Sequence, residues 1–219
     1  AEIRRLPQWK EMDGLLAETK EMAKTAARTV QTGSGYGALE RKLRLAGRDR
    51  WQEEQLDFST DSREAGVWMR FLEEGVLETP DPAPAPALYI TGQELFRRLE
   101  RYVSERQEQA GWYALFQLGV LLFQKGEYKR AEEALSQSLA AAENAWAYHG
   151  LASLYTVQGR TDEACSAVWK GVCLQMKDLS YVRESVRLLM LNGCFREVTE
   201  LYTQLDGTIQ KEGRIRFSY

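Results

Sequence analysis

Three glycine-led turns constrain this chain more than any other feature. Gly126-Glu-Tyr-Lys-Arg-Ala131, Gly159-Arg-Thr-Asp-Glu-Ala164 and Gly193-Cys-Phe-Arg-Glu-Val198 stand in register, their glycines 33 and 34 residues apart. Each follows an apolar stretch of helical period with a small or branched residue seven positions earlier: Gly119, Ala152 and Val186. After the first two turns a second stripe begins, Ala131, Leu135 and Leu139, then Ala164, Val168 and Val172. Two helices of about a dozen residues and two short turns occupy roughly 34 residues. The spacing therefore predicts helix–turn–helix repeats over about 111–144, 145–177 and 178–211, with a fourth starting at 213. Small residues at the facing positions let paired helices approach closely, and glycine supplies the positive φ that helix ends commonly need. One hairpin cannot bury both its faces, so neighbours must stack.

The residues before the repeats also read as helical. Trp9, Met12, Leu15, Leu16, Met22 and Ala26 give residues 8–31 a helical stripe. A short helix follows with Leu39, Leu43 and Ala46 on one face, and a third is expected from Ser62 to Glu74. Its stripe is Ala65, Trp68, Met69 and Leu72, with Gly75 as the stop. Between Thr79 and Pro86 lie four of the chain's five prolines at alternate positions, a pattern that excludes a helix and favours a polyproline-like path. Helical period resumes near Gln93, and Leu88-Tyr-Ile90 is too short to be a strand. The expected organisation is an N-terminal helical segment over 1–78, a proline-rich linker over 79–90 and repeats over 91–219. The fold class is all-α: a solenoid of helix–turn–helix repeats preceded by a helical segment.

The repeat residues resemble the tetratricopeptide family. In the first repeat the match runs Leu118-Gly119, Leu122, Gly126, Tyr128, Ala131 and Leu135. The second keeps Leu151-Ala152, Tyr155, Gly159 and Ala164, and the third keeps Gly193, Phe195 and Tyr202. The third departs from the pattern at Val186 and Val198. A second resemblance lies in Ser34-Gly-Tyr-Gly-Ala-Leu-Glu40, Leu56-Asp-Phe58 and the Trp68/Leu72/Gly75 helix. That order is similar to the segment before the repeats in a bacterial family of large proteins. Their N-terminal β-sandwich region, of unknown function, resembles carbohydrate-processing domains. This implies a helical accessory part of a larger carbohydrate-active enzyme as the alternative to an interaction module. A solenoid normally ends in a polar capping helix, and Arg214-Ile-Arg-Phe-Ser-Tyr219 reads as the opening turn of another repeat, so a fragment of a longer protein is expected.

Composition narrows the partners. The net charge is −3 and Arg and Glu are interleaved, which argues against nucleic acid, whose binding needs a surplus of basic residues. The longest apolar run, Leu118 to Phe123, is far short of the roughly 18 residues a membrane span needs. The expectation is a cytoplasmic protein with no membrane contact. Cys165, Cys173 and Cys194 lack metal-ligand spacing, and buried free thiols in a reducing compartment are the simpler reading.

Catalytic chemistry finds little footing. Gly33-Ser-Gly-Tyr-Gly37 follows a helix rather than a strand and carries no Gly-Lys-Ser/Thr, so a structural loop fits better than a phosphate cradle. His149 is the single histidine, which excludes a multi-histidine metal site and leaves no assignable Ser/His/Asp or Cys/His set. Acidic pairs such as Glu132/Glu133 point about 100° apart on a helix and read as solvated faces. The expectation is no catalytic residue, no metal and no cofactor.

The tetratricopeptide resemblance implies instead a concave groove lined by first-helix positions two, five, nine, twelve and thirteen. In this chain those are Tyr113, Phe116, Val120, Phe123 and Gln124, then Trp146, His149, Ser153, Thr156 and Val157, then Ser180, Arg183, Arg187, Met190 and Leu191. The strongest candidates are Tyr113, Phe116, Phe123, Gln124, Trp146, His149, Ser153, Arg183 and Arg187. Such a surface suits an apolar or aromatic segment of a partner protein or peptide. The chain's own N-terminal helices, or another domain of the parent chain, would serve equally as occupant. Family members that clamp a terminal carboxylate use Lys, Asn and Arg where this chain has Phe116 and Val120, which argues against that ligand. Arg183 and Arg187 remain able to receive an acidic group. If Phe116 and Trp146 are groove residues, truncating either to Ala weakens partner binding and spares the helices. If they are core, the fold collapses.

Overall fold

The computed structural model describes residues 63–86, 89–90 and 93–216. The helices expected over 8–31 and 39–46, and the Gly33–Gly37 loop between them, lie outside these residues. The chain divides into two compact units, Ala1–Val76 with Ala87–Tyr89, and Leu77–Pro86 with Ile90–Tyr219. The described residues hold helices and no strand.

In the first unit, α1 spans Arg63–Glu74. Trp68 and Phe71 are its buried side chains and meet edge to face at 5.6 Å. Of the expected stripe, Trp68 is buried and Met69 and Leu72 half-buried, and the structure adds Phe71. Gly75 ends the helix at φ +69°, as its place after the last apolar residue predicts.

The second unit is a run of paired helices. It begins with α2 (Gln93–Arg106) and a 3₁₀ turn over Gln107–Ala110. Three hairpins follow: α3 (Gly111–Gln124) with α4 (Tyr128–Ala141), α5 (Ala145–Val157) with α6 (Thr161–Leu174), and α7 (Leu179–Leu191) with α8 (Phe195–Gln204). Two short helices close the described chain, α9 (Gly207–Gln210) and α10 (Gly213–Arg216), the latter where a fourth repeat is expected to begin.

The hairpin turns are built alike. Gly126, Gly159 and Gly193 sit at φ +77°, +70° and +70°. The residue after each glycine reaches back five positions: Glu127 N donates to Leu122 O, Arg160 N to Tyr155 O and Cys194 N to Leu189 O, each at 2.9 Å. This bond satisfies a carbonyl orphaned at the helix end and needs a left-handed residue just before it. The small residues act as expected. A Cβ on Gly119 would lie 2.7 Å from Leu135 Cγ, so α3 and α4 close on each other only because it is absent. Ala131, Ala152 and Ala164 are fully buried at the equivalent seams.

Polar groups tie hairpin to hairpin. Ser138 Oγ donates to the carbonyl of Trp112 at 2.8 Å and receives the Asn144 amide at 3.3 Å. Asn144 Oδ1 accepts from Ala147 N at 2.7 Å and caps α5. Both side chains are buried, and these mutual bonds offset the cost of desolvating them. Asp178 caps α7 in the same way.

The structure corrects the reading of the cysteines. Cys165 on α6 and Cys194 at the head of α8 are paired in a disulfide, with Cα atoms 6.5 Å apart across 29 residues. Cys173 is the unpaired cysteine among the described residues, and it is exposed rather than buried. Spacing along one helix says nothing about a partner brought in by the next repeat.

Candidate functional site

The proline-rich segment lies against the repeats. Leu77 is buried at its start and Ile90, also buried, donates its amide to Gln117 Oε1 at 3.4 Å. Between them, three side-chain donors reach the segment: two open the first and second hairpins, and the third lies in the turn that leaves the second. The indole N–H of Trp112 donates to the carbonyl of Pro80 at 2.8 Å, and that of Trp146 to the carbonyl of Pro82 at 3.0 Å. Gln175 Nε2, in the turn between α6 and α7, donates to the carbonyl of Ala83 at 2.6 Å. Asp81 folds the strap by accepting from Ala83 N at 3.0 Å. Gly111, at φ +80°, leaves the space that Thr79 occupies, since a Cβ there would collide with the threonine hydroxyl.

Trp112 and Trp146 are each the second residue of a first helix, and bonds outside the strap hold both. Trp112 is fixed through the Ser138 bond to its carbonyl. The Trp146 ring meets Tyr181 edge to face at 5.4 Å, and Tyr181 is itself anchored by donating to Ala145 O at 2.6 Å.

The residues expected in the groove divide into three groups. Tyr113 and Phe116 are 3% and 1% exposed, so they are packed rather than presented, and Phe116→Ala is a core truncation. Trp146 is buried and engaged with Pro82. Phe123 is half-buried with its ring 5.9 Å from Tyr128, Gln124 is exposed, and Ser153 is half-buried. His149 is half-buried beside Tyr181, their rings 5.9 Å apart, and burial pushes its pKa down. Arg183 and Arg187 do come together.

These two arginines line a cleft of about 450 Å³ with Val186, Met190, Leu191 and Ile215. Arg183 pairs with Glu212 at 2.6 Å, yet its Nε is buried with no hydrogen-bond partner among the described residues. Arg187 pairs with Glu184 at 2.8 Å. Large apolar side chains stay exposed at the ends of the first helices: Val157 at 58%, Met190 at 39% and Leu191 at 62%, with Phe195 at 61% beyond the turn. A wider cleft of about 700 Å³ lies by α2 and α4, lined by Val103, Ser104, Gln107, Gln137 and Ala140, with no charged group among its lining residues.

A charged cluster ties the first two hairpins. Arg160 makes a fork to both oxygens of Glu132, at 2.7 and 3.0 Å, and also bonds Glu163. Tyr155 donates to Glu132 at 3.0 Å, and burial with that bond pushes the phenol up to about 12. Each charge there has an opposite partner, so the cluster reads as a tie between helices. Among the described residues no three His, Cys, Asp or Glu side chains converge as a metal site, and no helix is long and apolar enough to cross a membrane.

Trp112 and Gln175 fall outside the expected groove register, although they hold the strap. The sequence does carry one signal for them: tryptophans 34 residues apart opening two first helices, downstream of prolines at alternate positions. No protein-family model matches the chain, and no curated protein matches it.

Proposed function

We propose that this chain is a non-catalytic interaction module that docks a segment of a partner protein, or of another domain of its parent chain, on the first helix of its third hairpin. The resemblance of the repeats to the tetratricopeptide family supports a groove-binding role. The observation that carries the reading is the cleft where exposed Met190 and Leu191 adjoin Arg187 and the unpartnered Nε of Arg183. Apolar side chains left in water next to guanidinium donors suit a segment that brings an apolar residue and a carboxylate together.

The test is a selection of random peptides displayed against the full chain. The expected winners combine acidic and apolar residues and bind at least about tenfold more weakly to Leu191→Asp, a size of effect ordinary for a docking residue. Leu191 is exposed, so its substitution leaves the melting curve in place. Failure to enrich any peptide, or indifference to both Leu191→Asp and Arg187→Ala, rules the cleft out.

A further inference from the structure

We propose that Trp112, Trp146 and Gln175 form a recognition track for a non-helical, proline-rich peptide, and that residues 79–84 of this chain are its resident ligand. The inference concerns a surface apart from the third-hairpin cleft, so either reading can fail while the other stands.

The chemistry of donor and acceptor matches at each step. A strand with proline at alternate positions has lost half its backbone donors and presents carbonyls, so whatever reads it must donate. The track offers three donors in chain order, from the opening of the first hairpin to the turn that leaves the second, and they meet the carbonyls of Pro80, Pro82 and Ala83. Two of the three are indoles, which combine an N–H donor with an apolar ring, the combination that proline-rich ligands commonly meet. Asp81 adds shape, because its bond to Ala83 N folds the ligand around its second contact, Pro82. Gly111 leaves the space for Thr79.

Bonds outside the strap hold two of the three members. Ser138 holds the backbone of Trp112, Asn144 caps the helix that Trp146 opens, and Tyr181 holds the Trp146 ring. The strap lies on the surface: Pro80, Asp81, Ala83, Pro84 and Ala85 are exposed and Pro82 is half-buried. A segment held at its carbonyls and open on its other side can be exchanged for another of like sequence without opening the core. Tethering gives it a high effective concentration, so a free peptide competes poorly with it in the intact chain.

The experiment uses the full chain with residues 79–85 replaced by a Gly/Ser stretch of equal length, titrated calorimetrically with a synthetic peptide of residues 77–86. Saturable binding is expected to this chain, at least about tenfold tighter than to the unaltered one. Affinity should fall at least about fivefold in Trp146→Phe, which keeps a ring and loses the donor, and in a peptide carrying Asp81→Ala. A folded replaced chain that ignores the peptide overturns the proposal. So does a replaced chain that fails to fold, because the segment is then part of the architecture and no ligand. In the otherwise unaltered chain, Trp112→Phe with Trp146→Phe should speed cutting after Pro82 and Pro84 by a post-proline endoprotease, and by more than the accompanying loss of global stability, read from the urea midpoint, accounts for. Cutting no faster than that loss accounts for likewise overturns it.

Discussion

Tyr181 donates its phenolic hydrogen to the carbonyl of Ala145 at 2.6 Å, and it reaches that carbonyl through the space left by Gly171. The bond joins the opening of α5 to the opening turn of α7. A Cβ on Gly171 would collide with the Tyr181 hydroxyl and stand 3.1 Å from Tyr148 Cβ. Gly171→Ala is therefore predicted to cost about 1–3 kcal/mol, even though alanine is the better helix former by about 1 kcal/mol. Tyr181→Phe should cost about 1 kcal/mol. With the hydroxyl gone, Gly171→Ala should cost clearly less than it does alone. Urea midpoints of the four chains measure this, and strict additivity would contradict the relationship.

The turn glycines make a second, purely conformational prediction. Gly159 has no heavy atom within 4 Å of where a Cβ would stand, so its replacement meets no steric obstacle. Its φ of +70° remains, and Gly159→Ala should lose about 1–2 kcal/mol from that alone. Gly159→Asn should lose less, because asparagine tolerates the left-handed region. Matching denaturation midpoints for Gly and Ala would show that the turn relaxes to another form.

The Cys165–Cys194 pair staples α6 to the head of α8. Closing a loop of this size stabilises a fold by about 3.6 kcal/mol in the chain-entropy account. A reducing agent, or Cys165→Ala with Cys194→Ala, should lower the melting temperature accordingly. Without reductant, maleimide labelling of the folded chain should reach Cys173 and leave the other two cysteines unmodified. Labelling of all three, or a melting curve indifferent to reductant, would count against the staple. Cytosolic thiols are kept reduced, so the state of this pair in cells also reports the compartment.

His149 supplies a pH prediction free of competing histidines, being the only one in the chain. Burial, with a smaller push from Arg187, holds its pKa below the ordinary 6.5, while Glu184 pulls the other way. The folded state thus binds fewer protons than the unfolded state between the lowered value and 6.5. Stability is fully present above that window and falls as pH drops through it. Going from about pH 7.5 to about pH 5.5, the wild type should lose more stability than His149→Gln. Parallel pH profiles for the two chains would contradict the burial account.

What could be read in the sequence was what the chain decides locally. A helix end needing a left-handed residue advertises itself as Gly126, Gly159 or Gly193, because few other residues fit there. Close helix contact advertises itself as Gly119 or Ala152, because a larger side chain cannot be accommodated. Exposure of the groove residues was less legible. The periodicity that puts Tyr113 and Phe116 on one face does not say whether that face is covered, and here both are buried. Arg183 and Arg187 line one cleft, each paired with a glutamate, although the Nε of Arg183 is buried. Pairing across helices was not legible at all. Cys165 meets Cys194, and Trp146 meets Pro82, only after the hairpins have stacked. The alternate prolines state what path the strap avoids but carry no mark of the surface it lies on.

The strap also bears on the order in which the chain folds. Its three anchoring bonds close loops of 32, 64 and 92 residues, whereas the hairpins are made of contacts between near neighbours in sequence. Low contact order favours rapid formation, and long loops must pay their closure entropy before any bond rewards them. The helices should therefore assemble first and the strap settle afterwards across two hairpins already in place. In stopped-flow refolding this predicts helical circular dichroism recovering before the part of the tryptophan fluorescence change that is lost when Trp112 and Trp146 are replaced by Phe. Coincident phases would mean that strap and hairpins condense together.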